Sequence, residues 1–299
     1  MSPHEEWEIL EPNQRLDIAV AEALGCSRAR AQELLAEGAV DVDGRQVKSK
    51  GLRLHHGQRV SVWRPPADLD RFKAVDAPLE VLGEGPGWVA VDKPAGLPVH
   101  PLRHDEPDSL LQRVAARFPR IEGVGEGGLR SGLVHRLDVD TSGVQIFALD
   151  EPTFERLREA FRGHRIDKTY RAIVGGQPPE YGAVQLDLRI RKHRPALVAA
   201  SEAGTGGPDS RLCPLRWNVR EAFAHAALIE VRPRTGFLHQ IRVSMAWLGH
   251  PILGDPVYGD LGDRAPRQML HACRLALGEI EVASPDPADL VGVLEGLRG

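Results

Sequence analysis

Residues 64–70, Arg-Pro-Pro-Ala-Asp-Leu-Asp, divide the chain into two unequal parts. Paired prolines remove backbone donors and favour extended chain, so no helix or central strand is expected to run through them. They leave 63 residues before the break and 229 after it, which predicts a small unit followed by a large one. The full length of 299 residues agrees, at about 150 residues per domain.

The small unit has its core at residues 13–64. Ser27 is a candidate cap for a helix through Arg28, Arg30, Ala31, Leu34 and Leu35, with Gly38 as its stop. Val40-Asp41-Val42 then alternates into Asp43-Gly44, a two-residue hairpin signal, with Val47 as the next apolar point. Gly57 precedes a second alternating run, Val60-Ser61-Val62-Trp63. From Arg15 to Arg64 there are nine Lys/Arg against six Asp/Glu, and Arg28, Arg30, Arg45, Lys48 and Lys50 gather near the helix and turn. The expectation is a compact basic module of marginal stability, since about 50 residues bury little apolar surface.

The larger part begins near residue 78. Val81-Leu82 and Trp88–Val91 read as strands about a Gly-Glu-Gly-Pro-Gly turn. Residues 151–162 carry Phe154, Leu157 and Phe161 at helical spacing, and Tyr170–Val174 and Ala226–Val231 read as strands. Residues 200–210 read as a flexible loop. Helices and strands alternate without a strict βαβ rhythm, so the expected class is α+β with a mixed sheet. No internal repeat is visible.

Several functional classes recede at this stage. Cys26, Cys213 and Cys273 stand far apart, which indicates neither a zinc cluster nor a disulfide framework. The apolar runs fall short of the ~20 residues of a membrane span, and the acidic start lacks a signal-peptide pattern, so a cytoplasmic protein is expected. The net charge is −4, yet residues 156–194 hold ten Lys/Arg against four Asp/Glu. Two basic segments on a mildly acidic chain fit an anionic partner met by one face; an ordinary solvated surface is the alternative.

The densest chemistry lies at residues 133–143, Leu-Val-His-Arg-Leu-Asp-Val-Asp-Thr-Ser-Gly. A calcium loop starting at Asp138 needs a carboxylate at its twelfth position, which is Leu149. A phosphoaspartate site would place Asp-x-Asp directly after a buried strand, but His135-Arg136 intervene. A polar turn and a lone catalytic carboxylate remain. The latter needs a cation inside the site to keep a desolvated Asp ionised. Arg136, two residues from Asp138, shares its face if the chain is extended, and Thr141-Ser142-Gly143 can fix the turn.

His135-Arg136-Leu137-Asp138 followed by Thr141-Ser142-Gly143 resembles the signature of the RluA-type pseudouridine synthases. Further segments resemble that family in the same order: Asp92–Pro101 with its Lys-Pro-Ala-Gly core, Lys168-Thr169-Tyr170, Thr235-Gly236 with His239-Gln240-Ile241-Arg242, and Gly249–Gly259. Residues from Arg15-Leu16-Asp17 to Gly57 resemble the RNA-binding domain first known in a small-subunit ribosomal protein. The resemblance spans roughly residues 13–275. It departs where the family reads Gly-Arg-Thr-His-Gln-Ile-Arg, for Phe237 and Leu238 replace the Arg-Thr pair, and where Ser244 replaces a usual His.

The resemblance implies isomerisation of uridine to pseudouridine in RNA without metal or organic cofactor. Asp138 matches the catalytic carboxylate, with attack on the sugar, attack on the base and removal of a sugar proton all left open. Tyr170 matches the tyrosine that packs on uracil and assists proton removal from carbon 5; a core strand tyrosine is the plainer alternative. Arg242 matches the basic residue that pairs with the catalytic Asp. Arg136, Lys168 and His135 are expected RNA contacts in the larger part, as are Arg28, Arg30 and Lys48 in the smaller. For Arg136 a surface ion pair competes, for Lys168 the covering of apolar surface, and for His135 and His239 loop shaping. The expected organisation is an RNA-binding module at 1–66, a linker at 67–77 and a catalytic domain at 78–299. The expected partner is RNA, by family analogy large-subunit ribosomal RNA, with transfer RNA, several RNAs, or a non-catalytic ribosome-assembly role as rivals.

Overall fold

The computed structural model describes residues 3–26, 28–63, 72–103, 105–193, 195–259 and 265–299. The proline break and the Ser27 cap lie outside these residues. The chain divides into two compact units, the first of residues 1–74 with 101–107 and 127–130, the second of 75–100, 108–126 and 131–299.

In the first unit the strands are β1 (Glu5–Glu8), β2 (Val40–Val42), β3 (Arg45–Gln46) and β4 (Arg59–Val62), and the helices α1 (Leu16–Ala23) and α2 (Arg28–Ala36). The sheet is antiparallel in the order β1-β4-β2-β3. Asp43 (φ 51°) and Gly44 (φ 75°) make the hairpin turn, both with the left-handed backbone that such a turn requires. Leu16, Val20, Leu34, Leu35, Val40, Leu54, Val60 and Val62 are fully buried in one core. Two elements exceed the sequence expectation. The acidic N-terminal run forms β1, paired with β4 from Glu5 to Glu8, and α1 precedes the expected helix.

Asp17 anchors this small core. Its side chain is fully buried, and it accepts from Arg15 Nε (3.0 Å), Arg28 Nε (2.9 Å) and Gln32 Nε2 (2.7 Å). Burial alone would push its carboxyl up, but these three donors hold it well below the ordinary carboxylate range.

The second unit is built on strands β5 (Glu80–Gly85), β6 (Trp88–Lys93), β7 (Ser142–Ala148), β8 (Asp167–Gly175), β9 (Tyr181–His193), β10 (Ala196–Glu202), β11 (Arg211–Ala222), β12 (Ala226–Pro233), β13 (Leu270–Leu277) and β14 (Ile280–Ala283). They form one ten-stranded sheet in the order β10-β9-β11-β12-β8-β13-β7-β6-β5, with β14 on β13. All pairs are antiparallel except β7–β13, so the α+β class with a mixed sheet holds. The helices are α3 (Leu110–Arg117), α4 (Glu151–Arg162), α5 (Gln240–Trp247) and α6 (Ala288–Arg298). Helix α4 starts on an Asp150 cap that accepts from Thr153 N at 2.9 Å, and buries Phe154, Leu157 and Ala160.

Some local expectations change. The Gly-Glu-Gly-Pro-Gly turn narrows to Pro86-Gly87, because β5 continues through Gly85. The loop expected at 200–210 begins only after Glu202, and its Gly204 and Gly206 amides donate to Asp187 Oδ2. Val75 N donates to Gln112 O at 3.0 Å. No described helix is long and apolar enough to cross a membrane. Among the described residues no group of three or more His, Cys, Asp or Glu is placed to hold a metal.

Candidate active site

The loop that carries Asp138 runs into β7, the strand that meets β13 in parallel. Gly143 (φ 111°) makes this possible: a Cβ there would lie 2.3 Å from the Ala272 carbonyl oxygen. The loop is clamped by donors from distant segments. Arg267 Nη1 donates to Asp140 O (3.0 Å) and its Nη2 to Ser142 Oγ (3.1 Å). Gln268 Nε2 donates to Thr141 Oγ1 at 2.8 Å. From the other side, Gly96 N (3.0 Å) and Lys93 Nζ (2.6 Å) both donate to Val139 O. Lys93 is fully buried; burial pushes its ammonium down to about 7 against the upward pull of Asp140 and Asp138.

Asp138 meets Arg242 at the first turn of α5, where Arg242 Nη1 donates to Asp138 Oδ2 at 3.0 Å. The same guanidinium donates through Nε (2.7 Å) and Nη2 (2.9 Å) to Asp255, which also accepts the Val257 and Tyr258 amides. The Arg242 side chain is 6% exposed and that of Asp255 0%, so this bidentate pair is nearly dry, whereas Asp138 keeps 23%. Burial would raise the Asp255 carboxyl, but Arg242 and the two amides hold it down. Burial would lower the Arg242 guanidinium, and Asp255 and Asp138 together raise it. The Tyr258 ring lies 5.4 Å beneath it.

These groups border a cavity whose walls include Arg136, Asp138, Thr141, Tyr170, Phe237, His239 and Arg242. Burial pushes the Tyr170 phenol well above its ordinary range, and the Asp138 charge adds to this. The phenol therefore keeps its proton at neutral pH. Arg136 is exposed on the cavity wall.

Other expected contacts lie elsewhere. His135 is turned away: its ring stacks on Phe161 (centroids 4.5 Å, 19°) and its Nε2 accepts from Ile146 N at 3.1 Å. Burial, with a contribution from Lys168, pushes that imidazole down to about 3, as suits a neutral packing group. Lys168 donates to Thr235 O at 2.7 Å and braces the loop before α5; burial lowers it to about 8. In the first unit Arg28 is engaged by Asp17 and Arg30 by Glu33 (2.5 Å), while Lys48 is exposed.

Asp255, Arg267, Gln268 and Lys93 were not singled out by residue type, though Asp255 and Lys93 fall inside the family-like segments. Gln240 is a further organiser: its Oε1 accepts from Thr235 Oγ1 (2.7 Å) and Phe237 N (3.2 Å). Phe237 and Leu238 pack on the cluster of Leu186, Leu188, Val198, Cys213 and Val243. Ser244 is fully buried, and its Oγ has no hydrogen-bond partner among the described residues.

Comparison with known proteins gives consistent relatives. Residues 87–247 match the RNA pseudouridylate synthase family, and residues 14–60 match the S4 domain. An "Uncharacterized RNA pseudouridine synthase" of Mycobacterium tuberculosis is 38% identical, over 95% of this chain and 94% of its own. "Ribosomal large subunit pseudouridine synthase D" of Vibrio parahaemolyticus is 32% identical, over 95% and 91%. Among solved structures, "Human RNA Pseudouridylate Synthase Domain Containing 4" superposes with a TM-score of 0.60 at 25% identity, covering 73% of this chain and 93% of that one.

Proposed function

The chain belongs to the RluA-type RNA pseudouridylate synthase family and carries an S4 RNA-binding domain, and from that premise we propose that it isomerises uridines of large-subunit ribosomal RNA at Asp138. The enzyme class, an RNA pseudouridine synthase, follows from the family itself. The reading of the site rests on one observation: Arg242 is shared by Asp138 and the buried Asp255 on the wall of a cavity that also includes Tyr170.

The reaction breaks the bond from ribose carbon 1′ to uracil N1 and forms one from carbon 1′ to carbon 5. Carbon 5 loses a proton and N1 gains one, so atoms and electrons balance within the nucleotide. Asp138 supplies the carboxylate, and Arg242 Nη1 donates to it at 3.0 Å in a half-buried position. Tyr170 forms a wall for the uracil ring and donates through its protonated phenol. Arg136 is the exposed cation on the cavity wall and serves a phosphate. A uridine in a stem must leave the stack to reach Asp138, at a cost of a few kcal/mol.

In this reading residues 1–66 bind RNA, 67–77 link, and 78–299 catalyse. Phosphate contacts from the first part hold the substrate while the second engages one base. The ribosomal target is supported by the relatives named for the large subunit, 31–32% identical to this chain. Mapping pseudouridine across total RNA, with and without the protein, tests it. Sites lost from large-subunit ribosomal RNA are expected. Losses confined to transfer RNA would overturn the target, and no loss anywhere would favour an assembly factor.

A further inference from the structure

His239 occupies a place that backbone shaping alone does not explain. It is the residue before α5, with φ 54° and ψ 18°, a left-handed conformation that glycine and asparagine adopt more readily. Its side chain makes no cap to the helix. Instead the ring borders the same cavity as Asp138, Tyr170 and Arg242, and its Nδ1 lies 2.9 Å from the Tyr258 hydroxyl.

That hydroxyl fixes the ring's proton. Tyr258 Oη already accepts from Val198 N at 2.8 Å, where a bulge between Leu197 and Val198 interrupts the pairing of β10 with β9. Among the described residues Nδ1 is the one neighbour able to take its proton, and the pair made that way leaves Nδ1 unprotonated. Burial pushes the imidazole down, so it is neutral, although Asp138 and Asp255 pull it up and Arg242 and Arg136 pull it down again. A neutral imidazole with a bare Nδ1 carries its hydrogen on Nε2. Nε2 has no hydrogen-bond partner among the described residues, so it is the ring nitrogen left for a ligand in the cavity that His239 borders.

We propose that His239 is a substrate-contacting residue that donates Nε2–H to an oxygen of the flipped nucleotide, with Tyr258 as the positioning residue that sets its tautomer. This rests on the reading of the Asp138 cavity as the nucleotide site. The oxygen belongs to the uracil or to its ribose phosphate; the geometry gives the donor and not which oxygen.

Two measurements test it. In the full chain labelled with ¹⁵N-histidine, long-range ¹H–¹⁵N correlation reads the His239 tautomer directly. Nε2–H is expected, and Nδ1–H overturns the proposal whether or not any variant folds. The second uses tritium release from carbon 5 of uridine in total RNA of cells lacking the protein. Gln places an amide donor near the position of Nε2, whereas Asn and Gly suit the left-handed backbone but put no donor there. His239→Gln should have the highest kcat/KM of the three variants. His239→Asn and His239→Gly should each fall about tenfold or more, the weight of one hydrogen bond with its partner left unmet. If Asn or Gly equals or exceeds Gln, the residue shapes backbone only and the proposal fails. Asp138→Asn run alongside separates the two readings: if it turns over, the cavity is not the site and both readings fall. If it is inactive while Asn matches Gln, only the assignment of His239 falls. In the uracil arm, RNA with 4-thiouridine in place of uridine should narrow the gap between wild type and His239→Gly. An unchanged gap moves the contact to the ribose phosphate and leaves the donor assigned.

Discussion

Asp255 grips Arg242 through both Nε (2.7 Å) and Nη2 (2.9 Å) and leaves Nη1 for Asp138 at 3.0 Å. One cation thus serves two carboxylates of different standing. Asp255 is dry and fully hydrogen-bonded, while Asp138 borders the cavity and retains some exposure. The structural and chemical duties of the arginine fall on different partners, which the sequence alone, pairing Arg242 only with Asp138, does not reveal.

Asp138→Asn is therefore expected to abolish turnover with little loss of stability. The amide keeps the size and drops the charge, and Arg242 still has Asp255. Unfolding free energy should stay within about 1 kcal/mol of wild type. Near-normal pseudouridine formation by this variant would remove Asp138 from the mechanism.

Asp255→Ala should do more harm to the fold than any change at Asp138. It strands a buried guanidinium and two backbone amides, and breaking one side of a buried ion pair costs about 3–5 kcal/mol. Urea denaturation should show a clearly lower midpoint, with activity falling even where the protein remains folded. An unchanged midpoint would show that Asp138 alone satisfies Arg242.

Much of this fold was legible because its signals are local. Asp43-Gly44 marked the hairpin, and Phe154, Leu157 and Phe161 marked α4 by their spacing. Helix α5 was not legible in that way: Gln240 through Met245 are all buried, so no polar stripe alternates with an apolar one. β1 was hidden for the opposite reason, since three glutamates surround Trp7 and its order comes from pairing with β4. The site followed the same division. Asp138, Tyr170 and Arg242 were found through motif resemblance, but Arg267 and Gln268 reach their loop from more than 120 residues away in sequence, a relation that no local pattern encodes. His135 misled because a histidine beside a catalytic motif looks chemical, whereas here it fills space against Phe161.

Acid should weaken the first unit through Asp17. Its carboxyl is held below the 3.8 of an ordinary aspartate by Arg15, Arg28 and Gln32, despite burial. A depressed folded value means that this stabilisation is full above the unfolded value and is lost as pH falls from about 4 toward the folded value. Protection of the α1 and α2 amides against hydrogen exchange, relative to their intrinsic rates, should fall over that range in wild type. In Asp17→Asn protection should be lower throughout and nearly flat with pH there. If wild type and variant show the same pH slope, another carboxylate carries the acid response.

Phe237→Arg with Leu238→Thr should alter substrate preference. Both side chains pack on the Leu186–Leu188–Val198 cluster, and Phe237 also reaches the cavity wall. The change replaces an apolar wall with a cation, so the salt dependence of RNA binding should steepen by about 0.7–0.9 if a phosphate is engaged. Relative rates on ribosomal and transfer RNA should shift. Identical relative rates would make Phe237 and Leu238 neutral packing.

Affinity and chemistry should also separate across the chain, and the ion pairs of the first unit say which residues to change. Arg28 is engaged by Asp17 and Arg30 by Glu33, so altering either disturbs the fold as well as the surface. Arg45, Lys48 and Lys50 are exposed near the hairpin and can be reversed to Glu with less structural consequence. The triple reversal in the full chain should weaken RNA binding and flatten its salt dependence by about 0.7–0.9 for each phosphate that is no longer neutralised. Turnover at saturating RNA should persist, because Asp138, Tyr170 and Arg242 lie in the second unit. Asp138→Asn should give the reverse pattern, near-normal binding and no product. Should the triple reversal leave both affinity and salt slope unchanged, RNA is held by another face of the protein. Should it lower kcat at saturating RNA while the chain stays folded, the first unit contributes to the chemistry and the division of labour between the two units fails.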